Sequence, residues 1–186
     1  SGQRPADIWM LDVDNEKVER VTFTDLQGLN KEDMVEPQLC HFTSFDGLTV
    51  PYWLYKGSNS SHSKAVVIEV HGGPEGQERP TFSPMLQYLL NEGLTIVAPN
   101  VRGSIGYGKT YHHLDDIEKR LDSVHDAACL AEHLVQTGIA DKDKIAIMGA
   151  SYGGYMTLSC VTRYPDLWAA GVDSVGMSNL ETFLEN

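Results

Sequence analysis

Hydrophobic and polar residues alternate along the first third of the chain with the period of β-strands. Residues 6–25 alternate on both sides of a polar turn at residues 14–17, and residues 41–55 alternate around Asp46-Gly47. This pattern predicts two β-hairpins, and Asp-Gly is a strong hairpin signal. The polar residues 26–36 are predicted to form a linker, and the Ser/Asn-rich residues 57–63 a loop.

A different pattern begins at residue 65, where apolar runs alternate with segments of helical spacing. The apolar runs predict buried strands at residues 65–70, 94–98, 145–148 and 168–172. Helical spacing predicts helices around residues 82–90, at residues 124–135 with an end at Gly138, and from residue 155 to Pro165. Strands that alternate with helices predict an α/β fold, a mostly parallel sheet with helices on both faces.

Composition and charge narrow the possible partners. The chain has 186 residues, of which 41% are hydrophobic, and a formal net charge of −12. A chain of this length can build one hydrophobic core. The negative charge argues against nucleic-acid binding, and the longest apolar runs are too short to span a membrane. We therefore expect neither a nucleic-acid nor a membrane partner.

The cysteines and the acidic residues predict no metal or other cofactor. Cys40, Cys129 and Cys160 lie far apart and lack the spacing of metal ligands. This favours free thiols in a reducing compartment, and we expect a cytoplasmic protein. Residues 112–118 contain histidines and acids, and we interpret them as a solvated surface rather than a metal site.

The pattern Gly149-x-Ser151-x-Gly153 follows an apolar run and precedes a helical segment. A serine on such a strand-to-helix turn is the nucleophile of α/β-hydrolases, and the glycines stand where side chains would clash. We therefore predict Ser151 as a catalytic nucleophile; the alternative is a structural turn with an idle serine. In this architecture an acid and then a histidine follow the serine along the chain, yet the last histidine is His133.

The segment His71-Gly72-Gly73-Pro74 follows the first buried strand. Acyl transfer requires two donors aimed at the developing oxyanion. We predict the backbone N–H groups of Gly73 and Tyr152 as these donors, with Gly72 as an alternative to Gly73. His71 is interpreted as a structural or pocket-shaping residue. A plain glycine turn is the competing interpretation.

Residues 103–110 match the phosphate-loop pattern Gly-x-x-x-x-Gly-Lys-Thr in full, so a nucleotide hydrolase is an alternative function. Three observations weigh against it. Residues 99–102 separate the strand from the first glycine, acids follow the lysine and threonine, and the two other glycine motifs are left unexplained.

The three glycine motifs, taken together and in this order, resemble those of the prolyl oligopeptidase family of serine peptidases. The stretches that carry the resemblance are residues 70–74, 99–108 and 149–155. They are most similar to those of acylaminoacyl-peptidase and dipeptidyl-peptidase-like members. In this family a β-propeller caps an α/β-hydrolase domain. The resemblance implies a propeller remnant and linker at residues 1–36 and the first part of a truncated hydrolase domain at residues 37–186.

The resemblance also implies a function and a set of site residues. It assigns Ser151 as the nucleophile that hydrolyses peptide or acyl-peptide bonds, Gly73 and Tyr152 as the oxyanion hole, and Phe183 as a wall of the substrate pocket. The triad acid and histidine are missing, so we expect this chain to be inactive alone. A truncated sheet would also expose an edge, which predicts a homo-oligomer or a swapped assembly. A non-catalytic remnant that binds a partner chain is the remaining alternative, and exopeptidase and endopeptidase activity are not separated.

Overall fold

The first predicted hairpin is present and forms a small sheet of its own. The structure, a computed structural model, describes residues 2–26, 33–57 and 63–185. Strands β1 (Trp9–Asp12) and β2 (Lys17–Arg20) pair antiparallel. The Asp12 carboxylate accepts the backbone N–H groups of Asp14 and Asn15, so an aspartate side chain holds the turn. Residues 27–32 of the predicted linker and residues 58–62 of the predicted loop lie outside the described residues, and the boundary at residue 36 stays a prediction.

The remaining strands form one mixed sheet of six strands in the order β3-β4-β6-β5-β7-β8. Its parallel part is β5, β6, β7 and β8, as the alternating pattern predicts. The second predicted hairpin, β3-β4, is added antiparallel at one edge through pairing of β4 with β6. The strands are β3 (Gln38–Thr43), β4 (Thr49–Lys56), β5 (Val66–Val70), β6 (Thr95–Pro99), β7 (Ile145–Ala150) and β8 (Ala170–Ser174).

Helices cover both faces of this sheet. The helices given for the described residues are α1 (Pro84–Asn91), α2 (Lys109–His112), α3 (Arg120–Gln136), α4 (Tyr152–Arg163) and α5 (Leu180–Glu185). Helix α1 packs on one face, and α3 with α4 on the other. The end of α3 agrees with its predicted stop, since Gly138 has a φ of 72° and its N–H bonds to Val135 O.

Two apolar cores result from the alternation of side chains along the central strands. In β5, Ile68 faces α3 and α4, whereas Val67 faces α1. The side chains that fill the first core from the helices include Leu130, Leu134 and Met156, all fully buried. Complete burial of one such side chain stabilises the fold by about 1.5–3 kcal/mol.

The last strand begins later than predicted. Residues 168–172 read as a strand, but β8 spans Ala170–Ser174. A 3₁₀ turn at Pro165–Leu167 follows α4, and the indole Nε1 of Trp168 donates to Cys160 O at 3.2 Å. Trp168 therefore packs back on α4 instead of joining the sheet. An apolar residue that packs on a helix and one that belongs to a strand look the same in the sequence pattern, so the strand was predicted to start too early.

Apolar side chains are exposed in several parts of the described chain, among them β8 and the β1-β2 hairpin. All residues of β8 are exposed, and β8 is an edge of the sheet. Around the β1-β2 hairpin the exposed apolar residues include Trp9, Met10 and Leu11. Within the described residues, no helix has the length and apolar character needed to cross a membrane.

Candidate active site

Ser151 stands on a strained turn between β7 and α4. Its φ of 56° and ψ of −118° lie outside the regions that side chains with a Cβ normally adopt. A Cβ at Gly153 would lie 2.1 Å from Val70 O, and one at Gly149 only 2.4 Å from the Gly153 carbonyl carbon. The turn is held by a hydrogen bond of 3.0 Å from Ser151 N to Ser174 O. The serine is exposed at the carboxyl end of the parallel strands, as in the strand-to-helix turn of a nucleophile.

The loop after β5 lies directly beside this serine. A Cβ placed on Gly72 would be 3.6 Å from Ser151 Cβ and 3.2 Å from Ala150 O. Gly73 follows with a φ of 143°, which favours glycine. Tyr152 is the first residue of α4, so its backbone N–H has no acceptor within the helix. Gly73 and Tyr152 thus lie on the two segments that meet at Ser151, and their role as oxyanion donors stays a prediction.

Both nitrogens of the His71 ring are engaged by Gly72 and Ser104. Its Nδ1 lies 2.8 Å from Gly72 O and its Nε2 lies 2.9 Å from Ser104 Oγ. Burial lowers the pKa of His71, which favours the neutral ring. These contacts agree with a structural role for His71.

The side chain of Tyr152 is held from the other side by charged residues. Its hydroxyl accepts from Arg120 Nη1 at 3.2 Å, and the same nitrogen donates to Asp115 Oδ2 at 2.6 Å. Burial raises the pKa of Tyr152, so the phenol stays protonated at neutral pH. The Arg120–Asp115 ion pair therefore holds the side chain of Tyr152, the residue whose N–H is a predicted oxyanion donor.

Asp115 corrects the interpretation of residues 112–118 as a solvated surface. Its exposed fraction is only 3%, whereas Asp116 and Glu118 are exposed as expected. The carboxylate occupies the space next to Gly103, where a Cβ would lie 2.2 Å from Asp115 Oδ1. The charge pattern of residues 112–118 could not reveal the burial of Asp115, because its partners Gly103 and Arg120 lie outside that segment. No group of three or more potential metal ligands occurs within the described residues.

The glycine-rich residues 103–110 do not present a phosphate cradle. Three of their backbone N–H groups already donate within the protein: Gly103 to Tyr111 O, Ser104 to Val101 O and Ile105 to Gly76 O. A phosphate loop needs such N–H groups free to point at the ligand. This arrangement argues against the nucleotide-hydrolase alternative.

The sequence analysis did not predict a buried ionic network around Arg102, which directly precedes the glycine-rich residues 103–110. Arg102 is 3% exposed and donates to the fully buried Asp126 through Nε and Nη2, at 2.9 and 2.8 Å. It also donates to Asp46 at 2.9 and 3.0 Å, and its Nη1 lies 3.8 Å from Asp122 Oδ2. A signal existed, since Asp126 precedes Leu130 and Leu134 at steps of four residues on the apolar face of α3.

Phe183 is not brought into contact with the serine. It lies in α5 with 59% of its surface exposed. It lines an open depression of about 480 Å³ that residues 175–179 and Thr182 complete, and Ser151 is not among the lining residues. Its assignment to the substrate pocket stays a prediction.

The chain is similar to known serine peptidases in sequence. It is 42% identical over 122 residues to dipeptidyl aminopeptidase BIII of Pseudoxanthomonas mexicana, an alignment that covers 64% of this chain and 17% of that protein. It is 39% identical over 120 residues to dipeptidyl peptidase family member 6 of Caenorhabditis elegans, covering 64% of this chain and 16% of the relative. The chain thus spans about a sixth of the length of these relatives.

Comparison of structures and of family patterns agrees with this. The fold matches the acylaminoacyl peptidase of Pyrococcus horikoshii with a TM-score of 0.77 and 32% identity, over 95% of this chain and 28% of that one. Residues 80–186, more than half of the chain, match the prolyl oligopeptidase family. That match includes the strained serine turn and the glycine-rich segment, and on this evidence the chain belongs to the prolyl oligopeptidase family of serine peptidases.

Proposed function

We propose that the protein containing this chain hydrolyses peptide or acyl-peptide bonds through an acyl-enzyme on Ser151. The observation that carries the proposal is the strained, exposed serine on the β7–α4 turn with Gly72 packed beside it. The names of the relatives, a dipeptidyl aminopeptidase and an acylaminoacyl peptidase, support peptide and acyl-peptide substrates. Because the chain spans only part of these relatives, the activity is proposed for the whole protein.

The chemistry follows from the residues around the turn. Ser151 Oγ attacks the carbonyl carbon of the scissile bond while a general base takes its proton. The oxygen of the tetrahedral intermediate accepts hydrogen bonds from the N–H groups of Gly73 and Tyr152. The base returns the proton to the leaving amine, and water then hydrolyses the acyl-serine by the same steps.

The general base is proposed to lie outside this chain. His71, in the loop after β5 that contains Gly73, is bonded to Gly72 and Ser104. No histidine follows His133 in the sequence, whereas the hydrolase order places the acid and the histidine after the serine. We therefore assign both to a later segment of the whole protein and expect the 186-residue chain alone to be inactive.

A fluorophosphonate probe tests the nucleophile directly. The whole protein is expected to be labelled at Ser151, and Ser151→Ala is expected to abolish both labelling and turnover of an aminoacyl-nitroanilide. The isolated chain is expected to react far more slowly, since a serine without a base is a weak nucleophile. Labelling of the whole protein at another serine, or undiminished turnover by Ser151→Ala, would contradict the assignment. An inert whole protein would favour the non-catalytic alternative.

We also propose where the protein is located and which partners it has. The net charge of −12 and the free state of Cys40, Cys129 and Cys160 support a cytoplasmic peptidase without a nucleic-acid or membrane partner. The exposed edge of β8 supports self-association of the chain through that strand. No cofactor enters the proposed reaction.

A further inference from the structure

The segment after β6, from Asn100 through the glycine-rich residues 103–110, and the loop after β5 are joined at three points. Ser104 Oγ lies 2.9 Å from the Nε2 of His71. Ile105 N donates to Gly76 O at 2.9 Å. Asn100, fully buried, accepts from the N–H of Glu78 at 2.7 Å and donates to its carbonyl oxygen at 3.1 Å. One segment therefore sets the conformation of the other, which contains the proposed oxyanion donor.

The hydrogen atoms on the His71 ring follow from its partners. Gly72 O can only accept, so the bond of 2.8 Å at Nδ1 requires the hydrogen on that nitrogen. In the neutral ring Nε2 is then an acceptor, and Ser104 Oγ is the donor to it. Ser104 Oγ also donates to Val101 O at 2.7 Å, so the single hydrogen of this hydroxyl is shared between Val101 O and Nε2. The ring thus links the hydroxyl of Ser104 to the carbonyl of Gly72.

This link acts on one particular peptide unit. The carbonyl of Gly72 and the N–H of Gly73 belong to the same planar group, and in a trans peptide they point in opposite directions. A ring that holds the carbonyl on one side therefore directs the N–H to the other. Donation to the carbonyl also polarises the peptide and strengthens its N–H as a donor.

The geometry points to Ser104 and His71 as a positioning relay that orients the Gly72–Gly73 peptide for the oxyanion. This inference rests on the proposed function and extends it to two residues that do not touch the substrate carbonyl. It also gives the glycine-rich segment a role in catalysis that does not involve phosphate.

Gly76 supplies an independent constraint on the relay. A Cβ at this position would lie 2.2 Å from Gly72 O and 2.7 Å from His71 Nδ1. Any side chain there would separate the two atoms that the relay joins. The absence of a side chain at Gly76 is what lets the ring and the carbonyl meet.

The test uses variants that break different halves of the relay in the whole protein. In His71→Asn the shorter amide occupies the place of Nδ1 and keeps the bond to Gly72 O. In His71→Gln the longer amide reaches Ser104 and loses that bond. Ser104→Ala removes the hydroxyl and leaves the ring. His41→Ala and Ser159→Ala are matched controls on β3 and α4.

We expect kcat to fall about 10- to 100-fold in His71→Gln, less in Ser104→Ala and least in His71→Asn, with KM unchanged. Affinity for a peptide aldehyde, which forms an oxyanion on Ser151, is expected to fall in the same order. Affinity for the corresponding peptide acid, a product analogue, is expected to stay constant. If His71 had a purely structural role, the affinities for the aldehyde and the acid would fall together. The kcat of His71→Asn would then not exceed that of His71→Gln.

The outcomes separate the relay from the proposed function. If Ser151→Ala is inactive but His71→Gln and Ser104→Ala keep full kcat, the relay is wrong and the nucleophile stands. A rise in KM with unchanged kcat would likewise overturn the relay. If Ser151→Ala keeps full activity, the proposed function fails and the relay with it. Should His71→Gln not fold, the comparison of Ser104→Ala with Ser159→Ala decides.

Discussion

At the scale of single residues, the site depends on where side chains are missing. Gly149 and Gly153 allow backbone segments to approach within distances that a Cβ would block, and a Cβ at Gly72 would fit only tightly. The strain of the Ser151 backbone is maintained because these close contacts and the bond to Ser174 hold the turn from several sides.

Substitution of Gly153 by alanine is expected to destabilise the protein by about 1–3 kcal/mol. Its Cβ would meet Val70 O at 2.1 Å, and rigid backbone cannot move aside easily. Urea unfolding measures the loss, and the rate of fluorophosphonate labelling at Ser151 should fall with it. Ser159→Ala on the same helix is the control, since it adds no atom to the helix. A loss in Gly153→Ala no larger than in Ser159→Ala would show that overlap at the serine turn is unimportant.

Removal of the buried partner of Arg102 is expected to cost more than removal of the exposed one. In Asp126→Ala a guanidinium that is 3% exposed loses its fully buried carboxylate, and such losses typically destabilise by about 3–5 kcal/mol. The Asp46 side chain is 43% exposed, so Asp46→Ala is expected to cost clearly less. Free energies of unfolding from urea titrations check the order. A larger effect at Asp46 would contradict it.

At the scale of elements, the loops at the carboxyl ends of β5 and β6 behave as one unit. The contacts of Asn100, Ser104 and Ile105 join them, and the Arg102–Asp126 network anchors the second loop to α3. The glycines of this segment serve close packing, because Gly103 leaves room for Asp115 and Gly106 for Gln77.

Nucleotide is therefore expected not to bind to residues 103–110. The N–H groups of Gly103, Ser104 and Ile105 are used within the protein, so ATP with magnesium finds no cradle. Calorimetry of ATP binding, repeated with Lys109→Ala, checks this. Micromolar affinity that disappears in the variant would restore the phosphate-loop hypothesis.

At the scale of the whole molecule, two partly buried acids, Glu69 and Glu78, influence each other's ionisation. Glu69 Oε2 and the Tyr55 hydroxyl have no hydrogen-bond partner among the described residues. Burial, and next the charge of Glu69, raises the pKa of Glu78 from 4.5 to about 7. Burial also raises the pKa of Glu69. The folded protein thus retains protons that the unfolded chain releases.

The contribution of Glu78 to stability is expected to fall as the pH rises from about 4.5 to 7. In this window the unfolded chain has lost the proton of Glu78 while the folded protein still holds it, so ionisation favours unfolding. Glu78→Gln is expected to flatten this slope, since an amide does not titrate. Urea midpoints measured across the window test the prediction, with Glu118→Gln as the exposed control. An unchanged slope in Glu78→Gln would exclude Glu78 as its source.

The exposed edge of β8 makes a prediction for the isolated chain. An unpaired strand edge is a template for another strand, so the 186-residue chain is expected to dimerise or aggregate. Val172→Lys, at an exposed position of this strand, should weaken the association. Light scattering measures the molar mass. A stable monomer at high micromolar concentration would contradict the expectation.

The sequence by itself determined the local features of this protein. Alternation and the Asp46-Gly47 turn determine the hairpins, apolar runs determine the central strands, and Gly149-x-Ser151-x-Gly153 predicts the serine turn. Each of these depends on neighbours in the chain, whose spacing reports the period of an element or the space that a turn requires. The same local rules placed helix α3 and its end at Gly138.

Only the tertiary structure decided the contacts between distant residues. It buried Asp115 against Gly103, paired Asp126 with Arg102, turned Trp168 back on α4 so that β8 begins at Ala170, and set Ser104 beside His71. Each pairing joins segments that are adjacent only after the sheet has formed. A side chain's burial and partner depend on the other elements packed around it, and no periodicity within its own segment contains that information.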